Sequence, residues 1–345
     1  MGYKDLTANA NDGVFYSNGW YNLENIRTDY TIIQVADTQS YTVTIDPDDP
    51  NRRVDTLGEM YKWIGDNKEK LNIILMNNLG DVTQNATPME WEISGDYIEK
   101  YIEANGIPYN IAVGNHDVDS PYTGLGAMFR DTTNFDNEFD LEDRYSAQHD
   151  NISWSRYGGS YDGASSKNTY MFMEAGVGEN AVQFIVFALE FGPNKEVMQW
   201  VDDKLKEYSD YNAIILTHCY FNTDGSLSTY NARRDDTPYE DAWDGYQIWE
   251  EVVSTNDNVV MVNCGHSQNQ KVEIRVNENK YGHNVVQILS DPSAMITGFP
   301  SAKGIIELMC FTNDGKMHTY YYSPDRDMFY DTQFEATMDM HSVTK

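Results

Sequence analysis

Five short apolar runs in this chain each give way, at their carboxyl side, to a carboxylate, an amide or an imidazole. Thr31-Ile32-Ile33-Gln34-Val35-Ala36 ends at Asp37, and Ile73-Ile74-Leu75-Met76 runs toward Asp81. Ile111-Ala112-Val113 leads to Asn115 and His116, Ile214-Ile215-Leu216 to His218, and Val259-Val260-Met261-Val262 to His266. Runs of this length and β-branched content read as buried strands. Gly80, Gly114 and Gly265 stand just before three of these polar groups and permit tight turns. In an open α/β sheet the carboxyl ends of the strands share one edge, and sites are built there. One such Asp or His, taken alone, is a turn, a cap or a hydrogen-bonded structural residue; five on one edge constrain the fold much more.

Helical periods alternate with the runs. Val54, Leu57, Tyr61 and Ile64 mark a helix over 54–66. Thr87-Pro88-Met89-Glu90 has the form of a capping box with proline at the first helical position, predicting a helix that Gly106 stops. Val197, Val201, Leu205 and Tyr208 predict another, and Tyr246, Trp249, Val252 and Val253 a fourth. Thr169–Met173 and Ala181–Leu189 read as neighbouring strands. After residue 270 the helical periods end, and 270–277, 283–290, 304–311 and 317–323 read as strands, with Asn313-Asp314-Gly315 a turn. The pattern predicts an α/β core closing with an antiparallel sheet. Residues 1–29 read as a leader packed on one domain spanning 30–324, and 325–345 as a tail. Two aperiodic stretches, 118–168 and 220–242, follow ligand-bearing strands and so read as inserts at the site's edge.

With 55 acidic residues against 24 basic ones, net charge is −31. Such a surface repels nucleic acid and anionic lipid, so neither is an expected partner. An anionic substrate would need cations to reverse the local field. No run of eighteen apolar residues predicts a membrane span. Cys219, Cys264 and Cys310 have no disulfide spacing and read as buried thiols. Acid richness with abundant Asn and Tyr favours a bacterial extracellular or cell-surface domain. The residue types at the strand ends suit divalent metals: carboxylate and imidazole for Zn, Mn, Fe or Ni, carboxylate and amide oxygen for Mg, Ca or Mn.

The ordered set Asp37-Thr38-Gln39, Gly80-Asp81, Gly114-Asn115-His116-Asp117, His218 and Gly265-His266-Ser267-Gln268 resembles the signature of the calcineurin-like metallophosphoesterases. That signature is D-x-H, G-D, G-N-H-D/E, H and G-H-x-H. The resemblance implies a four-layer α/β/β/α sandwich of two mixed sheets flanked by helices, with two divalent metals at the strand ends. It implies that Asp81 bridges both metals, that Asn115, His218 and His266 complete one site, and that Asp37, Gln39 and Gln268 face the other. His116 would assist the leaving oxygen while a metal-bound hydroxide attacks phosphorus, with Asn115 and His116 touching the phosphoryl group.

Two histidines of the signature are glutamines here, Gln39 and Gln268, both on the same metal site. The expectation is an asymmetric centre: Zn, Mn or Fe beside His218 and His266, and Mg, Ca or Mn beside Asp37, Gln39 and Gln268. Gln84 stands where some relatives carry an Asp partner for the catalytic His. Arg233 and Arg234 could clamp a phosphate, or simply meet Asp235 and Asp236 at the surface. Few cationic groups serve a second phosphate charge, so a phosphodiester is expected over a monoester of a small molecule or sugar. Aromatics of the inserts, among them Trp154, Tyr157, Tyr220, Phe221 and Trp243, could shape a pocket for a small-molecule or glycan-linked phosphoester, or cover the inserts' own cores. The alternative is a catalytically degenerate fold kept for glycan or ligand binding, against which the retained His116 argues.

Overall fold

The computed structural model of the chain describes residue 23 and residues 26–42, 54–119, 130–176, 181–229, 241–267, 272–291 and 304–341. In chain order the strands are β1 (Tyr30–Val35), β2 (Ile73–Asn78), β3 (Tyr109–Ile111), β4 (Ser155–Ser160), β5 (Thr169–Ala175) and β6 (Val182–Ala188). Then follow β7 (Asn212–Leu216), β8 (Val259–Cys264), β9 (Glu273–Glu278), β10 (Asn284–Leu289), β11 (Ile306–Thr312), β12 (Lys316–Ser323) and β13 (Met328–Thr337). They form two mixed sheets, β13-β12-β11-β1-β2-β3 and β4-β5-β6-β7-β8-β10-β9.

Both sheets are covered on both faces, which is why their central strands read as unbroken apolar runs. Alternation sorts the side chains. Tyr30 and Ile32 of β1 face the second sheet, meeting Phe184, Val186 and Ile214, while Ile33 and Val35 face the helices. The helix Val54–Asp66 buries Leu57, Tyr61 and Ile64 against that outer face. The helix Pro88–Tyr101 starts at the Thr87 capping box, whose two reciprocal hydrogen bonds both form. On the far side, Lys195–Glu207 lays Val197, Val201 and Leu205 on β6 and β7 residues. Each fully buried Leu, Ile or Val contributes about 1.5–3 kcal/mol. The result is helix, sheet, sheet, helix: the four layers expected.

Three expectations need correction. The closing strands are not one antiparallel sheet. β9 and β10 join the second sheet and β11 to β13 the first, and β10 runs parallel to β8. The segment read as a tail supplies β13, antiparallel to β12. The insert 118–168 is not a bare loop: it holds a short helix, Thr133–Glu138, and β4, which pairs with β5. It also covers the edge of the first sheet, where the N–H of Tyr109 donates to Gln148 Oε1 at 2.7 Å and that of Ile111 to Tyr145 Oη at 3.0 Å. An open edge is thereby closed to foreign strands. Of the residues 1–29 read as a leader, Leu23 and Ile26 pack against the outer face of the first sheet. All three cysteines are free and buried. No helix among the described residues is long and apolar enough to cross a membrane.

One acid lies between the sheets. Glu307 on β11 is 1% exposed and accepts from Gln34 Nε2 at 2.7 Å. Burial pushes its pKa up to about 7, against the opposing pull of the Gln34 hydrogen bond and the nearby Tyr321 and Ser290 hydroxyls.

Candidate metal centre

The parallel strands deliver their polar ends to one edge in two facing rows. Asp37, Asp81 and Asn115 follow β1, β2 and β3; His218 and His266 follow β7 and β8. Asp37, Asp81 and His266 hold φ of 53°, 52° and 68°, a left-handed backbone that L side chains seldom adopt. Each such residue costs on the order of 1 kcal/mol or more, and such strain gathers at sites.

The three glycines let these turns touch. A Cβ on Gly114 would lie 2.2 Å from Asp81 Oδ1 and 2.3 Å from its backbone N, and one on Gly265 would lie 2.5 Å from Asp37 Oδ2. Because the Asp81 backbone is in the way, Gly114→Ala is expected to cost about 1–3 kcal/mol and to disturb the site. Urea denaturation together with bound-metal analysis checks this; a variant equal to the parent in both would show that the close approach is not required.

Hydrogen bonds hold the rows in register. The His266 N–H donates to Asp37 Oδ1 at 3.3 Å, and the His116 N–H to Asp81 Oδ1 at 2.9 Å. His218 Nδ1 lies 2.8 Å from the Leu79 carbonyl. With a proton donated there, Nε2 is left 3.2 Å from Asp81 Oδ1, and would offer its lone pair to a cation on losing its own proton. His266 Nδ1 lies 2.9 Å from Asn115 Oδ1. One ligand atom each from Asp81, His218 and His266 lies within 4.8 Å of the others. Gln39 Nε2 donates to Asp81 Oδ2 at 3.3 Å, and its Oε1 is buried with no hydrogen bond. Asp117 is a positioning residue: it accepts from the N–H of Gly114 and of Thr83, both at 2.9 Å, and so ties the Asn115 turn to the Asp81 loop.

Charge is concentrated here. Asp37, Asp81 and Asp117 are all buried. Burial and the nearby Asp291 carboxylate raise the Asp37 pKa well above the carboxylate range. Burial would raise Asp81 too, but the facing His218 ring wins and holds it at about 2. His218, which burial alone would lower, is pushed up to about 10 by Asp81. Asp117 is pushed up to about 6 by burial and by Asp81. Buried carboxylates, imidazoles and amide oxygens converging on one point, with an orphaned acceptor among them, fit divalent cations.

The structure also supplies residues that sequence reading missed. Phe191 packs on both imidazoles, at 5.9 Å from the His218 ring and 5.3 Å from the His266 ring. Its loop is held by Arg130, which donates to the Gly192 carbonyl at 2.8 Å and pairs with Glu190 and Asp241. Thus the first insert meets the end of the second beside the site. Asp291 follows β10 and is 1% exposed. The inserts' aromatics divide: Tyr220 and Phe221 are core residues and not a pocket wall. Gln268, Arg233 and Arg234 lie outside the described residues.

The family model for calcineurin-like phosphoesterases matches residues 30–287, most of the chain and every described strand-end ligand. The chain belongs to the calcineurin-like phosphoesterases. Membership implies a dinuclear centre of divalent metals of the kind that serves phosphoester hydrolysis. Among curated proteins it is similar to the uncharacterized protein YvnB of Bacillus subtilis (strain 168), 27% identical over 326 residues and covering 91% of this chain. The chain spans only 22% of that relative's length. Among solved structures, a dimetal phosphatase from Danio rerio aligns with a TM-score of 0.51 at 12% identity, covering 90% of this chain and 99% of that one. That likeness shows the calcineurin-like phosphoesterase fold.

Proposed function

We propose that this chain hydrolyses a phosphodiester at a two-cation centre. In this reading Asp81 would serve both cations, with Asn115, His218 and His266 completing one set and Asp37 and Gln39 the other, to which the signature adds Gln268. The observation that carries this is the convergence of Asp81, His218 and His266 within 4.8 Å, with His116 anchored on the same Asp81. Bound there, divalent cations would neutralise phosphoryl oxygens and acidify a water.

The chain's own groups do the rest. Asn115 presents its amide beside His266 and would orient a phosphoryl oxygen. His116 has its Nδ1 2.9 Å from the Gln84 carbonyl, so a doubly protonated ring would donate there through Nδ1 and have its Nε2–H left for the leaving oxygen. Phe191 keeps water from one side of the imidazoles. Asp117 keeps the two ligand-bearing loops at a fixed spacing. The preference for a diester is supported by charge: Arg130, the described arginine nearest the Phe191 wall, is already engaged by Glu190 and Asp241. A substrate with one phosphate charge asks less of such a site.

Hydrolysis of nitrophenyl phosphodiesters and monoesters, with Mn, Zn, Mg or Ca added to chelator-treated protein, tests the reading. Faster diester turnover is the expected result. Faster monoester turnover would reverse the preference, and no turnover with any of the four would leave a binding module. Metal analysis of protein purified without added ions is expected to find a nitrogen-ligated Zn, Mn or Fe and a harder, weaker partner ion. Two equally tight Zn ions would sink the asymmetry.

A further inference from the structure

The loop after β6 reaches the same edge as the ligand loops. β6 runs parallel to β7 with Ala188 paired to Leu216, so Glu190 and Phe191 lie past one strand end as His218 lies past the next. Phe191 is 1% exposed and packs with Cys219 and Ala242. It also completes a three-ring cluster. The His218 and His266 rings are 5.0 Å apart, and Phe191 is 5.9 Å from the first and 5.3 Å from the second. A metal needs each ring nitrogen aimed at it, and groups around a ligand set that aim.

One arginine of the first insert holds this loop. Arg130 Nη1 donates to the Phe191 carbonyl at 3.4 Å and to the Gly192 carbonyl at 2.8 Å, and lies 3.3 Å from Glu190 Oε2. Its Nη2 donates to Asp241 Oδ1, in the second insert, at 3.0 Å. Glu190 is fixed from the other side as well: its N–H donates to Asn168 Oδ1 at 3.0 Å, and its Oε1 accepts from Asn168 Nδ2 at 3.1 Å. The Arg130 and Glu190 side chains are 13% and 6% exposed, so water screens this pair little.

We propose that Arg130 is a positioning residue for the metal centre: by gripping the Phe191 loop from between the two inserts it keeps the Phe191 ring on His218 and His266, and so fixes the orientation of both imidazoles toward a nitrogen-preferring ion such as Zn²⁺. The inference rests on the metal-centre reading above. A guanidinium suits the task, because its rigid planar fork meets two carbonyls and two carboxylates at once, whereas an ammonium is a point charge on a flexible stem. Both inserts thereby bear on the geometry of ligands that neither of them carries.

The test is a double-mutant cycle on the chelator-treated full chain. The parent, Arg130→Lys, Phe191→Leu and the double variant are titrated with Zn²⁺ by calorimetry, and the metal-free Tm of each is measured. Lysine keeps a positive charge beside Glu190, so no buried acid is left unpaired and the fold is retained. Phe191→Leu should weaken the tightest Zn²⁺ about 10-fold or more, and Arg130→Lys should weaken it by a similar factor. The double variant should bind no more weakly than Phe191→Leu alone, because Arg130 acts through that ring. Losses that multiply in the double variant would overturn the proposal, since Arg130 would then act by another route. So would an Arg130→Lys protein with a lowered metal-free Tm and parental Zn²⁺ affinity, which is what a merely structural arginine gives. Either result leaves the metal centre standing; a parent that binds no Zn²⁺ overturns the metal-centre reading and this proposal together.

Discussion

His116→Ala is expected to lower kcat for a phosphodiester by about 10²–10⁴-fold while bound metal stays at the parental level. Its backbone N–H is what touches Asp81, and alanine keeps that bond. Only the ring is lost, and the ring's role is to give a proton to the leaving oxygen. The size of the loss should follow the leaving group. Nitrophenolate departs without much help, so nitrophenyl esters should fall at the low end, and alkyl esters at the high end. Gln84 sharpens this. Its carbonyl lies 2.9 Å and its side-chain Nε2 3.0 Å from His116 Nδ1; the carbonyl accepts from a protonated Nδ1, the amide donates only to a bare one, and both groups are neutral. Gln84→Asp would put a charge there and should move the basic limb of the pH–rate profile upward, since an anion favours imidazolium. Steady-state kinetics on both ester types with metal analysis of the same preparations decides it. An alanine variant within twofold of the parent on alkyl esters would remove His116 from the proton path.

Glu307→Gln should stabilise the fold by about 3 kcal/mol at pH 8 and by little at pH 4. The folded carboxyl keeps its proton up to about 7, whereas the unfolded one releases it near its ordinary value of 4.5. Below the unfolded pKa both states hold the proton and the residue costs nothing. Between the two values the unfolded state alone ionises, so stability falls as pH rises, and above the folded pKa the penalty is constant. Some 2.5 pKa units at about 1.36 kcal/mol each give the figure. Glutamine keeps the volume and an acceptor toward Gln34 Nε2. Many other acids titrate in so acidic a chain, so the quantity to measure is the difference between variant and parent, by urea denaturation at pH 4 to 8. A difference that stays flat across that range would mean that Glu307 is not held protonated.

The strand-end ligands were legible because physics writes them twice, once as an apolar run buried on both faces and once as a polar stop with glycine before it. Thr87–Glu90 was legible for a similar reason, since a cap needs specific side chains at fixed spacing. β4 was not, because Ser155-Arg156-Tyr157-Gly158-Gly159-Ser160 has neither alternation nor an apolar run; it is a strand through pairing with β5. The direction of β10 could not be read either. Strand periodicity is the same for parallel and antiparallel partners, and direction decides whether Asp291 points its end of the chain toward the site or away. In sequence, Ser290-Asp291-Pro292 reads as an ordinary turn. Phe191 was missed because an aromatic after a strand looks like core, and it is buried; only its stacking on two imidazoles sets it apart.

The two rows of polar strand ends belong to different sheets, joined face to face by an apolar core. No half of the sandwich owns a complete coordination set: Asp81 needs His218 and His266 from across the seam. Any ion seated there is consequently a cross-link between layers, fastening residue 37 to residue 266 and spanning most of the chain in one step. It would close very long loops, the case in which a clip removes the most chain entropy. The mouth of the site should then be the last part of the molecule to assemble. The slip of one sheet over the other, set by methyl groups far from the chemistry, becomes the dial that fixes the spacing between its two sides.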